Sequence, residues 1–153
     1  MRMSLGLMGL FLALAGCEQV EPGASGTITL DPTIDVSDAH TLRITAVEDQ
    51  FGGDAPLADA VVPSRRISTE VDLDVVDFPH DYTVGGGIGD ASPFETWYVV
   101  ARLVNEDGED ATADGLEFIG TADFRVPSDS CRGDFCGVAI GIDVRIEPRA
   151  IRN

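Results

Sequence analysis

Along residues 26–150, apolar side chains recur at every second position of several short runs. Such alternation places apolar side chains on one face of an extended strand and polar side chains on the other. No run in this region shows the period of about 3.6 residues that is typical of an amphipathic helix. The pattern therefore predicts β-strands. The apolar faces of two of them are formed by Trp97, Val99, Ala101 and Leu103 and by Val138, Ile140, Ile142, Val144 and Ile146.

Turn-forming residues separate these runs. Asp107-Gly108 and Asp114-Gly115 precede the run that begins at Leu116, and residues 85–89 have the composition of a glycine-rich loop between strands. Short strands divided by such turns are typical of antiparallel sheets, because a tight turn returns the chain beside the strand it has just left. We expect an all-β fold, a single antiparallel β-sandwich of immunoglobulin-like or prealbumin-like type over residues 26–150.

Residues 1–16 differ from the rest of the chain. They contain one basic residue, Arg2, no acidic residue, and an apolar run from Leu5 to Ala15. This run is shorter than the ~20 residues that a helix needs to cross a bilayer. A basic start, a short apolar run and small residues at its end are the features of a secretory signal peptide, to which we assign residues 1–16.

The end of this segment, Leu14-Ala15-Gly16-Cys17, resembles the lipobox of bacterial lipoproteins. In that family a diacylglyceryl group is attached to the cysteine sulfur, and the chain is cut before the cysteine. The resemblance implies that Cys17 is lipidated and that the lipid holds the protein at a membrane. An ordinary signal peptide followed by a cysteine is the alternative.

The location that this resemblance implies is the cell envelope. In a Gram-negative cell this means the outer membrane or the periplasmic face of the inner membrane, with the cell surface as a further alternative. Residues 17–25 are mostly polar or small and include Pro22 and Gly23. This composition predicts a tether between the lipid and the β-domain.

The three cysteines of the chain are Cys17, Cys131 and Cys136. An odd number of cysteines in an exported protein leaves one thiol to be explained. Lipidation of Cys17 would account for that thiol, and Cys131 and Cys136 could then form a disulfide in an oxidising compartment. So short a loop gains only about 2 kcal/mol in the chain-entropy model, so the bridge would fix a loop more than it would hold the fold.

The chain is strongly acidic. It has 27 acidic and 10 basic residues, and its formal net charge is −17. Nucleic acids and anionic lipid headgroups attract positive surfaces, so the composition argues against both as binding partners of the domain surface. We therefore expect membrane attachment through the N-terminal lipid and recognition of another protein of the envelope.

An acidic stretch at residues 105–114 is the candidate metal site. Calcium loops place carboxylate and amide oxygens at alternate positions around a glycine turn, and Gly108 provides such a turn. The spacing departs from that of an EF-hand, because Leu103 stands where the first carboxylate belongs. A looser calcium site and a solvated acidic turn are both open. The candidate ligands are Asn105, Asp107, Asp110 and Asp114.

Catalytic motifs do not emerge from the sequence. His40 and His80 are the two histidines. Asp81 follows His80 directly, and adjacent residues of an extended strand point to opposite faces, so the pair is poorly arranged for acid–base chemistry. We predict that the protein is not an enzyme and has no cofactor other than the calcium considered above.

The face of the Trp97 strand that is opposite Trp97 carries Tyr98, Val100 and Val104. This face is more apolar than a solvated sheet requires. It is either covered by another part of the chain or forms a protein-binding patch. We take these three residues as the candidate interaction surface.

A third candidate is the triplet Arg132-Gly133-Asp134 between Cys131 and Cys136. It looks like the disulfide-constrained loops that integrin receptors recognise. Short triplets of common residues also arise by chance, and a stapled surface loop is the alternative.

The order of strands and turns from Asp77-Phe78-Pro79 through Tyr82 to residues 105–108 is similar to that of small envelope lipoproteins with β-sandwich folds. Some of those proteins help to assemble secretion systems. The likeness includes no shared motif, so it implies no particular site residues. We expect a non-catalytic interaction domain, with a calcium- or ligand-binding module that uses residues 105–114 as the alternative.

Overall fold

The computed structural model of the chain describes residues 20–48, 66–88, 96–126 and 138–151. Within these ranges the protein is all-β, which confirms that part of the predicted fold class. The helical content of the described residues is one 3-10 turn at Leu73–Val75. None of these residues belongs to a helix that is long and apolar enough to span a membrane.

Nine strands follow one another through the described ranges. Their bounds are β1 (Val20–Leu30), β2 (Thr41–Glu48), β3 (Arg66–Asp72), β4 (His80–Ile88), β5 (Thr96–Val104), β6 (Thr112–Ala113), β7 (Leu116–Arg125), β8 (Val138–Ile140) and β9 (Val144–Ala150).

The strands form a curled sheet in the order β3-β2-β5-β7-β9-β1-β4, with β6 beside β7 and β8 beside β1. Its two end strands, β3 and β4, approach each other. Most neighbouring strands are antiparallel, in agreement with the prediction. Strand β1 differs, because it runs parallel to β8 and β9. The sheet is therefore mixed, and the first strand lies beside the last.

One face of the curled sheet encloses the main hydrophobic core. Trp97 is 1 % exposed there and lies with Val99, Ala101 and Leu103, so the predicted apolar face of β5 is confirmed. Strands β1, β2, β4, β7 and β9 also contribute side chains. None of the described polar or charged residues is buried, so the core consists of hydrophobic side chains whose burial stabilises the fold.

Strand β1 begins inside the segment that the sequence assigned to a tether. Val20 pairs with Ile88 of β4, and Ser25 pairs with Thr83 of β4 and with Ile140 of β8. Residues 20–25 therefore belong to the sheet. Their sequence contains Pro and Gly and therefore resembles a linker. Glycine is also found in strands where two backbones pack closely, and composition does not distinguish these two cases.

The glycine-rich run at residues 85–87 is part of β4, whereas the sequence indicated a loop. Gly85 and Gly86 have φ angles of +68° and +88°, which other residues rarely adopt. Gly85 lies opposite Gly23, and a Cβ at Gly23 would stand 2.5 Å from the Gly86 nitrogen. The two backbones approach more closely than side chains would allow, and this approach explains the glycines on both strands.

A bulge between β8 and β9 reverses the alternation of side chains. Ser25 pairs with Ile140 and Ile28 with Val144, so three steps along β1 correspond to four steps along the last strands. Gly141, with a φ of +77°, lies within the extra length. Ile140 is consequently 86 % exposed while Val144 is buried. The prediction that Ile140 and Val144 share one face is wrong. The extra residue of the bulge moves the side chains that precede it to the opposite face of the sheet.

The two ends of the sheet differ in composition. Strands β1, β3, β5 and β8 begin at one end, which we call the Val20 end, and β2, β4 and β7 finish there. The opposite end carries the described turns at residues 31–40, 73–79 and 105–115. Acidic residues are concentrated in these turns: Asp31, Asp35, Asp38, Asp74, Asp77, Glu106, Asp107, Glu109, Asp110 and Asp114.

Candidate functional site

A cavity of about 330 Å³ lies on the outer face of the sheet, the side of β2, β3 and β5 that faces away from the main core. Arg43, Arg66 and Arg102 line it. The whole chain has only 10 basic residues, so three arginines in one place are an unusual concentration of basic side chains. Glu109 and Asp110 line the same cavity. Ligand-binding pockets start at about 300 Å³, so a small ligand can be accommodated.

Apolar side chains lie beneath the cavity. Val47 and Val100 line it and are 5 % and 3 % exposed, and with Ile119 and Tyr98 they form a small cluster separate from the main core. The sequence left two alternatives for this face, coverage by another part of the chain or a protein-binding patch. Val100 is covered. Val104 is 1 % exposed. These two valines cannot contact a partner in this conformation, and of the predicted interaction residues only Tyr98 is partly exposed.

Two of the arginines hold the cavity together through ion pairs. The Nε of Arg43 donates to the Glu70 Oε1 at 2.6 Å, and its Nη2 donates to the carbonyl oxygen of Gly108 at 3.3 Å. The Nη1 of Arg102 pairs with the carboxylate of Asp110. These contacts fix both guanidinium groups and fasten the loop that follows β5 against the sheet.

Three arginines and three carboxylates meet at the cavity, so its formal charges balance: Arg43, Arg66 and Arg102 stand with Glu70, Glu109 and Asp110. Arg43 stands directly opposite Arg102 on neighbouring strands, an arrangement that is unfavourable for like charges. Arg66 is exposed on β3 opposite Val47, and it forms no ion pair with another described residue. Each guanidinium group carries more N–H donors than these contacts use. The site can therefore offer charged hydrogen bonds to an anion.

The loop after β5 contains the residues predicted as calcium ligands, and its conformation is explained by its own hydrogen bonds. The side-chain oxygen of Asn105 accepts from the amides of Asp107 and Glu109, each at 3.0 Å. Asp110 is engaged by Arg102. Within the described part of the chain, no three His, Cys, Asp or Glu residues are grouped as a metal site. Calcium binding here stays a prediction.

Asp114 has a different place from the other predicted calcium ligands. It lies in the two-residue turn between β6 and β7, with a φ of +52°, and Gly115 follows with a φ of +75°. Two successive positive φ angles match the tight hairpin turns that Asp-Gly pairs favour. The position of Asp114 is thus explained by the turn.

A second surface cavity, of about 390 Å³, lies where β1 meets β4 and the bulge. Tyr82 is buried there and donates its hydroxyl to the Ile142 carbonyl oxygen at 2.6 Å. Burial and the nearby charge of Asp143 raise the pKa of Tyr82, so it remains a donor. Thr27 donates its amide to Asp143 and its hydroxyl to Asp81. These contacts join three segments of the sheet, and we assign them a structural role.

Several predicted site residues lie outside the described residues. They are Cys17, the predicted lipidation site; Cys131 and Cys136, the predicted disulfide; and the triplet at residues 132–134. Lipidation, the disulfide and an adhesive role for the triplet therefore stay predictions.

Sequence reasoning missed the arginine-lined cavity. Arg43 and Arg102 both occupy polar positions of alternating runs, and this signal could have placed each on the outer face of its strand. The register that sets them opposite each other joins strands that are distant in sequence. No local pattern in the chain specifies that register.

Comparison of the chain with protein-family models, with curated proteins and with solved structures finds no match. The function is therefore argued from the residues and geometry described above.

Proposed function

We propose that the protein is a lipid-anchored component of the bacterial cell envelope, whose β-domain is a non-catalytic interaction module. The leader at residues 1–16 and the lipobox ending at Cys17 support the anchor. The observation that carries the proposal is the start of β1 at Val20. Only residues 18 and 19 then separate the lipidated position from the sheet.

So short a connection would hold the domain close to the membrane. The three steps from Cys17 to Val20 reach at most about 11 Å, so the Val20 end of the sheet would face the lipid surface. The acidic turns lie at the opposite end. Anionic headgroups repel negative charge, so this distribution favours an orientation with the acidic end pointing away from the membrane.

A binding role is favoured over a catalytic one by the outer-face cavity. Its described lining offers guanidinium, hydroxyl and carboxylate groups on an aliphatic floor, without a histidine or cysteine. An immunoglobulin-like or prealbumin-like sandwich is part of the proposal. The single core within the curled sheet and the close approach of β3 and β4 support such a two-layered arrangement.

Replacing the lipidated cysteine tests the anchor. We expect Cys17→Ser to abolish metabolic labelling with a radioactive fatty acid and to leave the protein either soluble or as an uncleaved precursor. Cys131→Ser is the matched control and should retain both the label and membrane association. Normal labelling and processing of Cys17→Ser would overturn the proposal.

A further inference from the structure

We propose that the edge of β3 that faces away from β2 is a dimerisation surface. Two copies of this chain would join their sheets there through antiparallel pairing of β3 with itself. This dimer goes beyond the anchored interaction module, and its formation does not depend on lipidation of Cys17.

The backbone amides of β3 point alternately towards β2 and away from it. Leu73, directly after β3, donates its amide to the His40 carbonyl oxygen at 2.9 Å, so the amides in step with Leu73 point towards β2. The outward amides belong to Arg66, Ser68, Glu70 and Asp72. All four residues are exposed, and no described residue accepts a hydrogen bond from their amides. The edge can therefore accept a further strand.

Strand β3 lacks the features that usually prevent such pairing, which are proline, an inward-pointing charge or a bulge. Its register with β2 is unbroken over the whole strand, and its inward side chains are Ile67, Thr69 and Val71. The other end strand, β4, departs from extended geometry at Gly85 and Gly86, which have positive φ angles. Of the two end strands, β3 thus offers the more regular edge.

The sequence of β3 complements itself when two copies run antiparallel. A pairing centred on Thr69 sets Arg66 opposite Asp72 and each outward amide opposite an outward carbonyl of the other copy. Opposite charges directly across a strand pair stabilise it, and Arg66 forms no ion pair with another described residue. A parallel pairing in register would oppose Arg66 with Arg66 and Glu70 with Glu70. The charges therefore favour a second copy in the antiparallel orientation.

Antiparallel pairing also determines how two anchored copies would meet. Because β3 begins at the Val20 end, the Val20 ends of the two copies would lie at opposite ends of the joined sheet. Together with the anchor proposed at Cys17, on which this step rests, the dimer would link copies held in two facing membranes.

Sedimentation equilibrium tests the dimer. The full chain at about 100 µM in a density-matched neutral detergent should have the mass of a dimer. Ser68→Pro should have the mass of a monomer, because proline removes an outward amide and leaves the hydrogen bonds to β2 intact. Ser68→Ala is the matched control: it loses the same hydroxyl contact with Thr45, keeps the amide and should remain a dimer. A monomeric mass for the unsubstituted chain, or a dimeric mass for folded Ser68→Pro, would overturn the proposal.

Disulfide trapping tests the register and does not require that proline is tolerated. Thr69→Cys would place the two introduced thiols opposite each other, at a Cα separation of about 4.5 Å that permits a disulfide. Val71→Cys is the matched control, because Val71 would face Ile67 and the introduced thiols would lie roughly 13 Å apart. Oxidation should give at least about tenfold more covalent dimer from Thr69→Cys than from Val71→Cys or the unsubstituted chain. Equal yields would refute the pairing.

Vesicle clustering tests the link between membranes separately. Vesicles of neutral lipid that carry the lipidated chain should cluster, as measured by light scattering, and vesicles that carry Ser68→Pro should stay dispersed. Dispersed vesicles with the unsubstituted chain bound would overturn the link between membranes. A chain that fails to stay on the vesicles would instead overturn the anchor at Cys17, and the dimer in detergent is measured independently of both.

Discussion

At the residue scale, a single carboxylate fixes the end of the first strand. Asp31 accepts hydrogen bonds from the amide and hydroxyl of Thr33, at 2.9 and 2.6 Å, and from the Nη2 of Arg145, at 2.8 Å. Its own amide donates to the carbonyl oxygen of Ile146. The hydrogen bonds from Thr33, followed by that from Arg145, lower the pKa of Asp31 to about 2. Asp31 therefore ends β1 and holds it to β9.

This pKa predicts an acid-dependent loss of stability. The folded pKa lies below the ordinary value of 3.8, so the contribution of Asp31 is present above about pH 4 and is lost as the pH falls through about 2. Asp31→Asn should reduce the fall in urea midpoint between these pH values. Asp123→Asn, at an exposed carboxylate on β7, is the control. An unchanged pH profile for Asp31→Asn would contradict the prediction.

Asp and Asn are common both in turns and as metal ligands, so the residue type alone does not distinguish a turn from a metal site. Asn105, Asp107 and Asp114 were predicted to bind calcium because their oxygens follow a suggestive spacing. In the structure Asn105 accepts backbone amides of its own loop, and Asp114 occupies a tight turn. The burial of Trp97, by contrast, followed from the alternating pattern alone.

At the scale of elements, alternation identified the apolar strands and missed the glycine-rich ones. Residues 20–25 and 85–87 were interpreted as a tether and a loop because glycine commonly marks turns. They pair with each other instead, and their glycines permit a close backbone approach. The sequence does not reveal this pairing. The glycines of each segment are explained by the close approach of the other segment, and that approach is visible only in the folded structure.

Close packing of β1 against β4 predicts a sensitive position at Gly23. Gly23→Ala would place a Cβ 2.5 Å from the Gly86 nitrogen, and the backbones would have to separate. We expect a loss of about 1–3 kcal/mol in the free energy of unfolding, measured by urea denaturation. Thr29→Ala, at an exposed position of the same strand, should cost much less. Equal midpoints for the two variants would show that β1 and β4 can separate freely.

At the scale of the whole molecule, acidic residues dominate and are unevenly placed. Net charge and the absence of a helical period followed directly from the sequence. The expected sheet was wholly antiparallel, whereas β1 is parallel to β8 and β9. Turn residues report only on connections between successive strands, so they contain no information about a pairing between the first strand and the last.

The net charge of −17 predicts that salt stabilises the protein. Raising NaCl from about 10 mM to about 500 mM shortens the Debye length from ~30 Å to a few Å and screens the repulsion among the acidic turns. We expect the melting temperature to rise. The same measurement on Arg66→Gln separates screening from chloride binding in the cavity. A fall in melting temperature would mean that ion pairs such as Arg43–Glu70 outweigh the repulsion.

The place of β1 between β4 and β9 also sets the order in which the fold can be completed. One side of β1 has no partner until residues 138–150, at the end of the sheet-forming chain, are present. Pairing between such distant segments is slow, since a long loop must close first. A chain that crosses a membrane with its N-terminus leading would keep β1 incomplete until β9 emerged. For the export proposed above, this topology would leave the sheet open until β9 has crossed the membrane, a form suited to threading.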